Sequence, residues 1–242
     1  MKQLYDKSKI WFAIAWIVTY CLLMSLGDSL STELGVEKSV TLVIGIALSA
    51  LLLLFLGRHG LFRFHGLCRA KVHASTVLFY IPIVIMLTAN FWCGVRLNYG
   101  VLETILYILA MFCVGFLEEV IFRGLLFEAM REESERAATI VSAVTFGIGH
   151  IINLFNGSGT ELLPNLLQVV YATAAGFMFV MLYRRTGSLL VCIFAHGLFN
   201  ALSAFSVEAT TVEIRIITAV ILTVITGSYA IYLALPMHKK NR

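Results

Sequence analysis

Long apolar stretches separated by short polar segments recur along the whole chain. A membrane span needs about 20 mostly apolar residues to cross roughly 30 Å of hydrocarbon. Eight stretches approach that length, and we predict one transmembrane helix for each of them. They cover residues 10–26, 40–57, 75–93, 101–128, 137–155, 166–184, 188–206 and 213–235. A transmembrane barrel is excluded, because its strands would be short and would alternate apolar with polar positions.

The overall composition agrees with this pattern. Hydrophobic residues make up 60% of the chain and charged residues only 13%, whereas about a quarter of a soluble domain is charged. A soluble globular fold and a disordered chain are therefore both excluded. Five cysteines scattered through 242 residues do not form the framework of a small disulfide-rich secreted domain. We predict an all-α fold, a polytopic transmembrane helical bundle, with residues 1–242 forming a single integral membrane domain.

The placement of Lys and Arg predicts the orientation of the bundle, because short cytoplasmic loops retain these residues. They cluster at both termini and in the loops after the second, fourth and sixth predicted spans. The loops between these positions hold few cations, namely Lys38, Arg96 and Arg215. We therefore expect both termini to be cytoplasmic. The net charge of +4 follows from this topology and indicates no nucleic-acid partner.

Ionisable groups inside the predicted spans are the strongest sign of a site. Such groups cost a few kcal/mol or more at the bilayer centre, so they face the bundle interior and are commonly functional. At 1.5 Å per helical residue, Glu118, His150 and His196 lie about 15, 20 and 12 Å from the cytoplasmic ends of their spans. We predict one shared site in the cytoplasmic half of the membrane. The other histidines, in basic loops or the tail, are expected at the surface: His59, His65, His73 and His238.

Helical spacing adds detail around Glu118. Glu119 and Arg123 are four residues apart, which predicts an ion pair that allows a guanidinium to be buried. Glu118 points about 100° away from Glu119 and is free to face the histidines. His196 and Asn200 are also one turn apart, which places a carboxamide beside an imidazole.

Phe146 and His150 have the same four-residue spacing in the fifth span. Gly147 and Gly149 flank this pair and would allow another helix or a substrate to approach closely. The fifth span is therefore expected to contribute both an imidazole and a close packing surface to the site.

One carboxylate and two imidazoles support two mechanisms of hydrolysis. In the first, Glu118, His150 and His196 bind a divalent metal, with zinc the expected ion, and an open position holds water. In the second, no metal is present and Glu118 deprotonates a water held against His150. His196 and Asn200 then donate hydrogen bonds to the oxyanion. The residues leave both mechanisms open, and neither uses a covalent nucleophile.

Three motifs carry a resemblance to a known family. Glu118-Glu119-Val120-Ile121-Phe122-Arg123 resembles the EExxxR motif of the CAAX protease and bacteriocin-processing family, also called the Abi family. Residues 146–150 resemble its FxxxH motif and residues 196–200 its HxxxN motif, in the same order. The resemblance implies an intramembrane endopeptidase related to the enzyme that removes the last three residues of prenylated CAAX proteins.

The resemblance also implies roles and a catalytic core over residues 101–206. Glu118 and His150 would activate water, and His196 and Asn200 would stabilise the oxyanion. The remaining motif residues would support the site structurally, namely Glu119, Arg123 and Phe146. The short loops resemble bacterial members of the family, so we expect a multi-pass protein of a bacterial plasma membrane.

The expected partners are the lipid bilayer and a hydrophobic or lipidated peptide, cleaved near the cytoplasmic face. Bacterial members are associated with peptide maturation and bacteriocin self-immunity. A rival hypothesis is a non-catalytic immunity factor or scaffold that binds peptide in the same polar pocket. The sequence determines neither the metal requirement nor the oligomeric state.

Overall fold

The computed structural model describes residues 1–70, 80–156, 161–209 and 211–235, which form α-helices and connecting turns without a β-strand. The all-α helical bundle predicted from the sequence is confirmed. In chain order the α-helices are α1 (Lys2–Lys7), α2 (Lys9–Leu34), α3 (Ser39–Arg58), α4 (Ile81–Thr88), α5 (Val101–Glu119), α6 (Glu128–Met130), α7 (Glu135–Gly149), α8 (Leu162–Thr186), α9 (Leu189–Leu202) and α10 (Val212–Ala234).

Six helical segments in the described ranges are long and apolar enough to cross a membrane. The longest is Val101–Met130, in which a π-helical segment, Val120–Phe127, joins α5 to α6. The others are Lys9–Leu34, Ser39–Arg58, Glu135–Leu154, Leu162–Thr186 and Val212–Ala234. These six match the first, second, fourth, fifth, sixth and eighth predicted spans.

The third and seventh predicted spans contain shorter helices. In the third, α4 and a 3-10 turn cover only Ile81–Phe91, and residues 75–79 lie outside the described residues. Pro82 lies in the first turn of α4, and Gly94 turns the chain after it with φ +119°. The seventh is Leu189–Phe205. The two short helices contact each other, and the Asn90 amide donates to the Phe199 carbonyl at 3.0 Å.

Glycines bring the helices of the predicted site into backbone contact. A Cβ on Gly115 of α5 would lie 2.6 Å from the Gly197 nitrogen of α9, so only glycine fits at this crossing. A Cβ on Gly147 of α7 would overlap Thr173 of α8. The close approach predicted at Gly147 is therefore present, whereas at Gly149 no atom lies within 4 Å of a Cβ position. These contacts hold α9 beside the Glu118 turn and α7 beside α8.

The bundle has two chemically different ends. We call the end that holds residues 1–9, 58–70, 130–136 and 184–189 the basic end, because most of the described Lys and Arg residues lie there. The far end holds residues 34–39, 91–101, 150–156 and 203–209. The predicted topology places the basic end in the cytoplasm.

His65, at the basic end, is buried rather than exposed, so the prediction of a surface position is wrong. Its side chain is 1% exposed, with Nδ1 2.7 Å from the Gly124 carbonyl oxygen and Nε2 3.0 Å from the Tyr5 hydroxyl. The loop folds back beneath the π-helical segment, and Gly66 turns it with φ +73°. His59 is exposed as expected, and His73 and His238 lie outside the described residues.

Candidate active site

A cavity of about 410 Å³ runs from the motif residues toward the far end of the bundle. Glu118, His150 and Asn200 line it, together with polar residues that the sequence places inside spans, Asn90, Asn153 and Gln168. The structure thus brings three of the four predicted catalytic residues to the wall of one cavity. His196, the fourth, lies behind this surface and lines a smaller neighbouring pocket.

The far-end mouth of this cavity is lined by charged residues. Lys38 forms an ion pair with Asp28 at 2.8 Å, and Thr41 donates to the same carboxylate at 2.7 Å. Burial alone would lower the pKa of Lys38, but the charge and hydrogen bond of Asp28 raise it above its usual value. Lys38 is therefore a charged ammonium, and the mouth is polar.

The Glu118 carboxylate has two differently placed oxygens. Oε1 accepts a hydrogen bond from the Tyr20 hydroxyl at 2.7 Å. Oε2 is buried, has no hydrogen-bond partner among the described residues, and lies 3.3 Å from His196 Nε2. An unbonded buried carboxylate oxygen is costly unless water or a ligand supplies a donor. This oxygen is accordingly an acceptor whose hydrogen bond no described residue supplies.

Glu119 and Arg123 form the buried ion pair expected from their spacing. Arg123 Nη1 lies 3.1 Å from Glu119 Oε1, and both side chains are completely buried. Arg123 Nη2 donates to the Gly176 carbonyl of α8 at 3.3 Å. The guanidinium carbon also lies 4.2 Å from the ring centroid of Phe146, a cation–π distance. Arg123 therefore ties the long helix to α7 and α8.

His196 bridges the two neighbouring glutamates. Nδ1 lies 2.9 Å from Glu119 Oε1, and Nε2 faces Glu118 Oε2. The ring stacks on Phe179 with centroids 5.3 Å apart and an interplanar angle of 20°. The orientation of His196 is therefore fixed by charge on both sides and by an aromatic face.

His150 is not inside an α-helix, because α7 ends at Gly149 and a 3-10 turn begins at His150. Nδ1 lies 3.0 Å from the Phe146 carbonyl oxygen, which only accepts, so Nδ1 carries a hydrogen. In the neutral ring, Nε2 is then an acceptor. The Asn165 amide donates to the His150 carbonyl at 2.8 Å and holds this turn against α8.

Asn200 and Phe146 line both the main cavity and the small apolar pocket beside it. That pocket, of about 50 Å³, lies against Met86 of α4, Ala172 of α8 and Leu222 of α10. The predicted support residue Phe146 is thus also part of the cavity wall.

The three predicted metal ligands do not meet the geometric requirement of a divalent ion. Structural and catalytic zinc sites need ligand atoms converging at about 2.0–2.3 Å from one point. Within the described residues, no three His, Cys, Asp or Glu side chains are arranged to hold a metal ion. Both ring nitrogens of His196 already face carboxylates. The arrangement of Glu118, His150 and His196 in the structure does not fit a metal, and the metal and metal-free mechanisms both stay predictions.

Two residues that contact the site were not identified from the sequence. Tyr20, in α2, hydrogen-bonds Glu118, and Phe179, in α8, packs on His196 and lies 5.5 Å from Arg123. The available signal for Tyr20 was a hydroxyl inside an apolar span. Phe179 gave no signal, because it is one of many aromatics in the spans.

Comparisons with known proteins agree with the motifs. Residues 100–202 match the family model described as "Type II CAAX prenyl endopeptidase Rce1-like", and this range contains all seven motif residues discussed above. A region of 85 residues is 38% identical to the "Putative membrane peptidase YdiL" of Bacillus subtilis (strain 168). That region covers 35% of this chain and only 30% of the relative. No solved structure matches the chain.

The matched segment coincides with the helices that carry Glu118, His150 and His196. The apolar helices on both sides of it make the chain a multi-pass membrane protein. Over residues 100–202 the chain is similar to the Rce1-like type II CAAX prenyl endopeptidases, which supports the resemblance of its three motifs to the CAAX protease and bacteriocin-processing family.

Proposed function

We propose that the protein is an intramembrane endopeptidase that hydrolyses a peptide bond of a hydrophobic or lipidated peptide in the main cavity. One observation supports this most directly. Glu118 Oε2 is buried, lacks a hydrogen bond among the described residues, and belongs to a carboxylate that lines the same cavity as His150 and Asn200. Glu119 Oε2 also has no hydrogen bond among the described residues, but Glu119 does not line this cavity, so Glu118 is the glutamate placed beside the space for a peptide.

The proposed reaction uses Glu118 as general base. A water donates to Glu118 Oε2 and to His150 Nε2, the ring nitrogen left as an acceptor by the Phe146 carbonyl. As the water oxygen bonds to the peptide carbonyl carbon, one O–H bond breaks and its proton moves to Glu118. The carbonyl oxygen becomes an oxyanion. When the C–N bond breaks, Glu118 returns that proton to the leaving amine.

In this proposal two side chains stabilise the oxyanion. Asn200 offers its amide to the cavity, and His196 Nε2 faces Glu118 Oε2 at 3.3 Å. With Nδ1–H directed at Glu119, this role requires the imidazolium form of His196, which also has an N–H at Nε2. Once Glu118 has taken the water proton, its charge no longer competes and the Nε2 N–H donates to the oxyanion. Glu119 and Arg123 keep the imidazole in place from the other side.

The direction of access follows from the cavity and from the predicted topology. The cavity extends from Glu118 to Asp28 and Lys38 at the far end, opposite the N-terminus. If the basic end is cytoplasmic, that mouth opens on the outer face, whereas the sequence favoured cleavage near the cytoplasmic face. We propose access from the far end.

Cysteine labelling tests this direction. In intact cells of a variant lacking the native cysteines, we expect Glu208→Cys to react with a membrane-impermeant maleimide and Arg131→Cys to remain unlabelled. Glu208 is 89% and Arg131 47% side-chain exposed, so both sites are accessible on their own face. Labelling of Arg131→Cys alone would reverse the assignment.

The function itself is tested by cleavage. Purified protein in detergent is incubated with internally quenched hydrophobic peptides, some ending in a farnesylated cysteine followed by three residues. Mass spectrometry then identifies the scissile bond. We expect cleavage by the wild type and none by Glu118→Gln. Peptide binding that survives in Glu118→Gln without any cleavage by the wild type would instead support the non-catalytic scaffold.

A further inference from the structure

Tyr20 lies in α2, outside residues 100–202, yet its hydroxyl donates to Glu118 Oε1 at 2.7 Å. The side chain is 8% exposed and forms part of the cavity wall beside Glu118. The family match therefore does not include the residue that hydrogen-bonds the proposed base.

The packing of α2 fixes where this hydroxyl lies. Phe12, Trp16, Tyr20 and Met24 follow one another at intervals of four residues and form one buried face. Gly27 continues α2 against α3, where a Cβ would lie 3.0 Å from Thr41 Cα. The same face of α2 packs on the π-helical segment that follows Glu119. The tyrosine is thus held by the helix rather than by its own hydrogen bond.

The hydrogen bond determines which Glu118 oxygen is available. With Oε1 bound to Tyr20, rotation of the carboxylate is restricted and Oε2 stays beside His196 Nε2. Without the hydroxyl, the two oxygens would be equivalent and the carboxylate could turn away from the water site. Small losses of alignment at a general base lower the rate substantially.

We infer that Tyr20 is a positioning residue that orients the Glu118 carboxylate, so that the first span, outside the matched segment, supplies part of the catalytic arrangement. This inference rests on the proposed function. Tyr20 does not take or give the reacting proton; it acts through Glu118.

The chain offers a matched control for this inference. Tyr183 of α8 donates to Glu128 at 2.5 Å. The long helix therefore accepts a second hydrogen bond from a tyrosine hydroxyl of another helix to one of its glutamates. Tyr183 lies at the basic end and does not line the main cavity. Tyr183→Phe therefore removes the same kind of hydrogen bond at a position remote from the proposed water.

The experiment compares wild type, Tyr20→Phe and Tyr183→Phe by steady-state kinetics on the best-cleaved quenched peptide, with thermal unfolding in detergent as a check of folding. We expect kcat of Tyr20→Phe to fall about 10- to 100-fold while KM stays within about twofold. Tyr183→Phe should retain wild-type kcat and KM. The two unfolding midpoints should shift by similar amounts.

Other outcomes would overturn the inference. An unchanged kcat in Tyr20→Phe, or equal losses in both variants that follow their stability, would make Tyr20 a purely structural residue. A raised KM with unchanged kcat would make it a substrate contact. If the wild type cleaves no peptide while folded, the proposed function fails, and that result is distinct from cleavage that is insensitive to Tyr20→Phe.

Discussion

The long helix Val101–Met130 carries a tyrosine-bound glutamate in each of two regions, and the regions differ in what else surrounds the carboxylate. At the basic end, Glu128 Oε1 accepts from Tyr183 and also pairs with Arg131 at 2.8 Å. In the middle of the bundle, Glu118 accepts from Tyr20, and its other oxygen is left without a hydrogen bond among the described residues. Both glutamates are buried, so burial alone does not distinguish them; the unbonded oxygen and the position in the cavity wall distinguish Glu118.

The largest difference between the two regions is expected in activity. Glu118→Gln should lower kcat about 100-fold or more, because the base is replaced by an amide that cannot accept the water proton. Glu128→Gln should change kcat by less than about twofold, since Glu128 is remote from the cavity. Peptide cleavage rates at saturating substrate measure both. Comparable losses in the two variants would show that the helix, rather than the Glu118 carboxylate, is being disturbed.

The largest loss in the free energy of unfolding is expected at Glu119, the residue next to Glu118. Glu119→Gln leaves the completely buried Arg123 without its counter-charge, and we expect a loss of about 3–5 kcal/mol in the free energy of unfolding. Unfolding in mixed detergent micelles measures this loss. The double variant Glu119→Gln/Arg123→Met should recover part of it, because no buried charge is left unpaired. A single variant as stable as the wild type would contradict the role of the pair.

A smaller effect is expected at His65, where the basic end meets the long helix. Burial lowers the pKa of His65 below its usual value of 6.5. The hydrogen bond with the Gly124 carbonyl opposes this shift, and the charge of Lys9 adds a smaller lowering. The unfolded chain then binds a proton at higher pH than the folded protein. The contribution of neutral His65 to the free energy of unfolding is therefore complete above about pH 6.5 and declines as the pH falls.

The thermal midpoint of the wild type should therefore fall between about pH 7.5 and about pH 5.5. In His65→Gln, which retains hydrogen-bonding groups without titrating, the fall should be smaller. Equal pH dependence of the two midpoints would show that His65 does not titrate in this way. Tyr5 and Lys9 face the ring and are unchanged in both proteins.

The smallest effect is expected from metal removal. Because Glu118, His150 and His196 do not converge as ligands, we expect cleavage to remain within about twofold of its starting rate after exhaustive chelation. Elemental analysis of the same sample checks that no divalent ion remains. Loss of cleavage that zinc restores would establish the metal alternative and require these side chains to rearrange.

Much of the fold could be predicted from hydropathy, because lipid requires long helices and their apolar runs are plain in the sequence. The α4 region was less predictable: its apolar run is as long as the others, but Pro82 and the turn at Gly94 limit the helix. The position of His65 was wrongly predicted, because a histidine in a basic loop does not reveal that the loop folds beneath the bundle.

The motif residues of the site could be found because charges inside spans are rare. Their contacts could not: the bridge from His196 to both glutamates depends on the Gly115–Gly197 crossing, which involves distant parts of the chain. Tyr20 was missed for the same reason, since it meets Glu118 across 98 residues of sequence.

The π-helical segment Val120–Phe127 makes the orientation of Glu118 sensitive to the number of residues in the segment, and not only to their side chains. A π-helix arises when a helix accommodates an extra residue per turn, so this segment sets the rotational phase between Glu118 and the basic end. Deleting one residue there would let the turn revert to α-helical geometry and rotate Glu118 away from the cavity, even with every motif residue intact. Indels in this short segment should therefore be tolerated far less than substitutions on its lipid-facing neighbours.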